Sequence, residues 1–287
     1  MATGAPDVVW SPSPDAAASS EIARFARFLR EERGVDLPDG ADYAALHAWS
    51  VADVGAFWSA AANFFDVRFH DAPTAPLGSD AMPGADWDEA VVFAREDGLE
   101  RVVTHAELRE LVGRFRAGLV RAGVGKGDCV VALAPNSVET LVAFLATASL
   151  GAIWSSCSPD FGARAVHDRF AQIEPAVLVA VDGYVYNGRR FDIRPTITAL
   201  RSQLPTVRET VLVPYLDDDA TLEGTTGWAD FTADTAPLAF EPVPFGHPLW
   251  VLYSSGTTGL PKGIVHGHGG ILLEHLKALR LQSDLGP

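Results

Sequence analysis

Ala176-Val-Leu-Val-Ala-Val181 is a run of six apolar residues with no polar alternation, the pattern of a strand covered on both faces, as in a parallel sheet. Working outward from it, strands and helices alternate. Before it stand a strand at Cys129 to Leu133, a helix with Val138, Leu141, Val142 and Leu145 on one face, a strand near Ile153, and a helix carrying Val166, Phe170 and Ile173. After it come a helix near Pro195, whose fixed φ suits a first helical turn, and a strand at Thr210 to Val213. Residues 214 to 248 read as loosely organised, with Trp228 and Phe231 as anchors, before Leu249 to Tyr253 restores a strand. The alternation predicts an α/β domain with a mostly parallel sheet flanked by helices.

Upstream, Ala90 to Ala94 and Arg101 to Val103 flank Glu96-Asp-Gly98 as a hairpin, and Thr104 with Glu107 has capping-box spacing for a helix that Gly123 ends. The first eighteen residues, rich in Ser, Pro and Ala, read as extended. A helix capped by Ser20 and stopped by Gly34 follows, then an aromatic-dense helical stretch expected to start at Ser50, with Ser50 and Asp53 as its capping box. Pro73, Pro76, Gly78, Pro83 and Gly84 mark a linker. Residues 1–85 are expected to form a helical cap, and 86–287 the first part of the α/β domain.

The chain has 287 residues, and its 22 Lys and Arg stand against 37 Asp and Glu, a formal charge of −15 without a basic stripe, which excludes a nucleic-acid surface. Cys129 and Cys157 lack metal or redox spacing and read as reduced core thiols. The longest apolar stretch, Leu141 to Trp154, is too short to span a bilayer, and the N-terminus lacks a signal pattern, so a cytoplasmic protein without membrane partners is expected. Oligomeric state is not legible.

The stretch that carries chemistry is Tyr253-Ser-Ser-Gly-Thr-Thr-Gly-Leu-Pro-Lys-Gly-Ile-Val-His266. Gly256 and Gly259 free the backbone to turn N–H groups towards an anion. Ser254, Ser255, Thr257 and Thr258 add hydroxyls, and Lys262 adds a point charge. Lys262 stands between Pro261 and Gly263, which is not the Gly-Lys-Ser/Thr order of a P-loop NTPase.

The order Ser-Ser-Gly-Thr-Thr-Gly-x-Pro-Lys-Gly resembles the phosphate loop of the adenylate-forming acyl-CoA synthetases. Trp49-Ser-Val51, Phe144 to Trp154, Ser155-Ser-Cys-Ser-Pro-Asp-Phe161, Gln172-Ile-Glu-Pro175 and Val181-Asp-Gly-Tyr-Val-Tyr-Asn-Gly188 look like acetoacetate-CoA ligases, over nearly the whole chain. The resemblance implies a two-step reaction. Acetoacetate attacks the α-phosphate of ATP, pyrophosphate leaves, and the thiol of CoA takes the acyl group. It assigns Ser254, Ser255, Gly256, Thr257, Thr258, Gly259 and Lys262 to the ATP phosphates, with Thr257, Thr258 and Lys262 stabilising the departing charge.

By the same resemblance Arg189 and Arg190, placed in a turn, are candidates for the 3′-phosphate of CoA, though two arginines in an exposed turn also read as simply solvated. Trp154 and Phe161 read as packing or as the border of the CoA or acyl pocket. A ligase for acetate, propionate or butyrate, or a non-catalytic nucleotide-binding fragment, are the alternatives. Three departures stand out: the segment between Trp87 and Ala90 is shorter than the family pattern, Gly246 replaces a usual acid, and the sequence stops at Pro287. The parts the family places further on, among them the acid that holds Mg2+ and the C-terminal lysine, are expected to be missing, which would leave this chain inactive alone. The terminal helix Gly270 to Leu281 is expected to leave Leu272, Leu276 and Leu279 uncovered.

Overall fold

The computed structural model describes residues 11–38, 43–67, 90–254, 259–283 and 285, and divides the chain into two compact units: residues 1–77 with 269–287, and residues 78–268.

In the first unit Ser13 caps a short helix α1 (Pro14–Ser19), where an extended segment is expected from composition; the Ser13 hydroxyl accepts from Ala16 N, and Pro14 fits the first turn. Ser20 caps α2 (Glu21–Arg33), which Gly34 ends in the left-handed conformation, as its sequence implies. Then α3 (Tyr43–Ala52) runs through Ser50, so Ser50 is not a cap; its hydroxyl donates to His47 O instead. The cap of α4 (Val54–Phe64) is Asp53, which accepts from Ala56 N. Phe25, Leu29, Leu46 and Ala61 form the buried centre of this unit, with the rings of Phe57 and Phe64 edge-on to Phe25.

The second unit opens with the hairpin β1 (Val91–Ala94) and β2 (Glu100–Val103). Thr104 and Glu107 close a reciprocal capping box on α5 (His105–Arg121). The series then runs β3 (Cys129–Leu133), α6 (Val138–Ser149), β4 (Ile153–Cys157), α7 (Ala163–Phe170) with a 3-10 turn (Ala171–Ile173), and β5 (Val177–Val181). A hairpin of β6 (Gly183–Tyr186) and β7 (Arg189–Asp192) follows, then α8 (Arg194–Gln203), β8 (Glu209–Val213), β9 (Thr226–Gly227), α9 (Trp228–Phe231), β10 (Pro248–Ser254) and β11 (Lys262–Gly267).

Seven strands form one sheet in the order β11-β10-β4-β3-β5-β8-β9, parallel except for β11. All five residues of β5 are buried, as an uninterrupted apolar strand requires, and the helix pairs α5/α6 and α7/α8 flank the sheet. Phe115, Phe170, Leu133, Leu178 and Ile197 are the large side chains of its core. The chain passes from β3 to β4 on one side and returns to β5 on the other, so the carboxyl ends of these strands frame the crevice where such sheets take ligands.

The last helix, α10 (His268–Leu276), continues as a π-helical stretch, Lys277–Gln282. Leu273 and Leu281 are buried, and Leu281 joins the Phe25–Leu29 cluster, while Leu272 and Leu279 remain exposed. The expected uncovered face is thus only partly uncovered. A helical repeat turns Leu281 inward with Leu273, whereas Leu272 and Leu279 lie on the outer side.

Candidate functional site

Leu133 pairs with Cys157, and Val181 with Val213, so these strands end level with one another. Trp250 lies opposite Trp154, which brings the end of β10 to the same edge. Residues 134–137, 158–161, the β6–β7 hairpin and 214–217 therefore leave the same edge of the sheet at which Ser254 ends β10.

β10 and β11 pair antiparallel with Ser254 opposite Lys262, which seats both candidate phosphate residues across one rung at the mouth of that loop. Both are exposed, and Lys262 makes no ion pair among the described residues. Gly259, at φ +152°, has open space where a side chain would stand. Ser255, Gly256, Thr257 and Thr258 lie outside the described residues. Among the described residues the Lys262 ammonium and the Ser254 hydroxyl have no acceptor, and with the unobstructed backbone at Gly259 they make a set that fits an anion.

Four side-chain bonds hold the base of this hairpin. Tyr253 Oη donates to Arg169 O at 2.7 Å, Gln172 Nε2 donates to Pro261 O at 3.0 Å, Ser155 Oγ donates to Val251 O at 2.7 Å, and Trp250 Nε1 donates to His266 Nδ1 at 2.8 Å. The Trp250 bond leaves His266 with its proton on Nε2 when neutral. Burial pushes the Tyr253 hydroxyl up to about 12, keeping it a donor at any physiological pH. His268 follows on α10, its ring 5.8 Å from that of His247; burial, and then His247, lower its pKa.

Arg189 and Arg190 are not in a turn. They begin β7, because Asn187 and Gly188, both at positive φ, make the two-residue reversal themselves. Arg190 donates to Leu216 O at 2.8 Å and pairs with Asp217, while Arg189 is exposed and without an ion pair among the described residues. The hairpin's Tyr184, Val185 and Tyr186 line a cavity of about 520 Å³ together with Pro135, Asp160 and Tyr215.

Sequence reading missed this hairpin and the residue that supports it. Asp182, 2% exposed, accepts from the N–H groups of Tyr215, Leu216 and Asp217 at 2.7, 2.8 and 3.0 Å. An acid directly after an all-apolar strand was the available signal. Trp154 is buried beside Phe144, and Phe161 lies under the Arg169 guanidinium at 4.9 Å. A larger cavity, about 740 Å³, has its cations already engaged: Arg95 with Asp97 and Tyr215 O, Arg101 with Glu139. Among the described residues no cluster of three or more His, Cys, Asp or Glu forms a metal site, and no helix is long and apolar enough to cross a membrane.

A parallel α/β sheet with a hydroxyl- and glycine-rich loop at its carboxyl edge defines the class, and the chain belongs to the AMP-binding enzyme family, whose profile matches residues 85–284. Within that family it is 41% identical to the acetoacetyl-coenzyme A synthetase of Rhizobium meliloti (strain 1021) over 96% of this chain and 46% of that protein. It is 35% identical to the acetoacetyl-CoA synthetase of Gallus gallus over 97% of this chain and 46% of that protein. A solved structure, acetoacetyl-CoA synthetase from Streptomyces lividans, superposes with a TM-score of 0.89 at 44% identity, covering 98% of this chain and 46% of that one. The chain thus spans a little under half the length of these relatives.

Proposed function

We propose that this chain supplies the N-terminal part of an ATP-dependent acid–CoA ligase acting on acetoacetate, and that it contributes the triphosphate-binding edge of the adenylation site. Residues 1–85 are the cap in this reading, and 86–287 the first part of the adenylation domain. The observation that carries it is likeness to acetoacetyl-CoA synthetases along nearly the whole chain, 41% over 96% of its length.

In this reading Ser254, Ser255, Gly256, Thr257, Thr258, Gly259 and Lys262 hold the β- and γ-phosphates of ATP. Lys262, Thr257 and Thr258 offset the charge that grows on pyrophosphate as the carboxylate of acetoacetate attacks the α-phosphate. The exposed Arg189 beside the tyrosine-lined cavity supports a CoA phosphate contact on the β6–β7 hairpin; Arg190, already neutralised by Asp217, serves to brace that hairpin. In this reading Mg2+ accompanies ATP, and among the described residues no group of three or more His, Cys, Asp or Glu could hold it. Reduced Cys129 and Cys157 support a cytoplasmic setting.

The polypeptide carrying this sequence, isolated from its own cells, should release pyrophosphate from ATP when acetoacetate and CoA are supplied. A larger kcat/KM with acetate, propionate or butyrate would overturn the choice of acid, and no release with any of them would overturn the ligase reading.

A further inference from the structure

Ser254, the last residue of β10, and Lys262, the first of β11, each follow a residue that is tied to one short stretch of helix. On the entering side, Tyr253 Oη donates to the carbonyl of Arg169, in the last turn of α7. On the leaving side, Gln172 Nε2, in the 3-10 turn that continues α7, donates to the carbonyl of Pro261. Each tie falls on the residue next to a candidate phosphate ligand: Tyr253 precedes Ser254, and Pro261 precedes Lys262.

Gln172 is suited to this in a way its neighbours are not. A primary amide has two N–H donors, and here both are used: one reaches Asp168 O, four residues back, at 2.6 Å, and the other reaches Pro261 O at 3.0 Å. The first bond holds the side chain along its own helix so that the second is aimed outward. Pro261 cannot donate a backbone hydrogen bond of its own, so its carbonyl is the polar main-chain group available to fix this side of the mouth. The same stretch also faces the neighbouring loop, since the guanidinium of Arg169 lies 4.9 Å over the ring of Phe161.

Resting on the reading of Ser254 and Lys262 as triphosphate ligands, we infer that Gln172 and Tyr253 are positioning residues that set the separation of Ser254 and Lys262 across the loop mouth, and thereby the affinity for the triphosphate. Neither side chain touches the ligand. Gln172 acts through Pro261 on Lys262, and Tyr253 acts through its own backbone on Ser254.

The test uses the full chain and its Gln172→Ala, Tyr253→Phe, Lys262→Ala and Gln172→Ala/Lys262→Ala variants, with inorganic tripolyphosphate as the titrant in calorimetry and tryptic cleavage after Lys262 followed by mass spectrometry. Loss of one hydrogen bond should raise cleavage after Lys262 by about 3- to 10-fold in Gln172→Ala and in Tyr253→Phe, with other tryptic sites unchanged. Tripolyphosphate affinity should fall by a similar factor in Gln172→Ala and in Tyr253→Phe, while adding Gln172→Ala to Lys262→Ala should cost nothing further.

Unchanged cleavage after Lys262 overturns the inference. So does an affinity loss that is the same with and without Lys262, since that would be a general effect of stability. If the unmodified chain takes up no tripolyphosphate but cleavage responds as expected, the phosphate reading of Ser254 and Lys262 fails while the clamp at the loop base stands.

Discussion

Asp182 shows what a single buried acid does at this edge. Its carboxylate receives three main-chain N–H groups from residues 215–217, and its own carbonyl accepts from Ile193 N, so one residue ties the end of β5 to the following hairpin and to the segment after β8. Asp182→Ala would take the buried acceptor away from three amides at once. At about 1 kcal/mol or more for each unsatisfied donor, the loss should come to about 3 kcal/mol, read from denaturant midpoints at constant slope.

His268 gives a pH dependence. Burial, then the neighbouring His247, lowers its pKa below the ordinary 6.5, so the unfolded chain binds the proton more readily than the folded one. Its contribution to stability is therefore complete above pH 6.5 and declines as pH falls through the folded value. Melting temperature should fall between pH 7.5 and pH 5.5, and the fall should be shallower in His268→Asn; equal slopes would exclude His268 as a source.

At the scale of elements, α5 illustrates how close approach overrides propensity. Gly118 sits in its interior, where alanine is ordinarily better by about 1 kcal/mol. Here a Cβ would stand 2.5 Å from Phe231 O and 2.6 Å from the Phe231 ring. The segment at 231–234 is fastened down, because Arg121 Nη2 donates to Phe231 O at 2.9 Å and its guanidinium pairs with Asp234, so relief by movement is opposed. Gly118→Ala should therefore destabilise, by a net of about 2 kcal/mol in urea unfolding. A gain in stability would show that α9 yields easily.

The β6–β7 hairpin, like α1, is an element that local reading missed. Its strands have four residues each, and the all-exposed pattern of β7 offers no alternation to read. Gln172 was legible only as part of a family string. That its amide spans to Pro261, 89 residues away, follows from the register of β10 beside β4 and from where α7 ends.

Across the whole chain, the first compact unit draws on both residues 1–77 and residues 269–287. Leu281 is buried in the cluster of Phe25, Leu29 and Leu46, Lys277 Nζ lies 5.5 Å over the Trp58 ring, and Arg280 pairs with Glu21 at 3.3 Å. Leu281→Ala should cost this unit about 2 to 3 kcal/mol. Amide exchange of α2 and α4 should then quicken while that of β3 and β5 stays unchanged; acceleration in all four would mean the two units unfold as one.

Composition and periodicity by themselves determined the α/β class, the parallel strands β3, β4, β5 and β8, and the caps at Ser20 and Thr104, and they singled out the stretch whose hydroxyls, glycines and lysine have the composition that suits phosphate. These rest on interactions within a few residues of one another, or on a burial pattern written along a single element. Tertiary structure alone decided that Ser254 and Lys262 share a rung, that Arg190 is neutralised while Arg189 is not, and that Leu281 joins the cluster of Phe25. Each of those depends on which distant segments meet. A hydrogen bond or a buried contact of that kind is specified by sheet order and register, which no local pattern encodes.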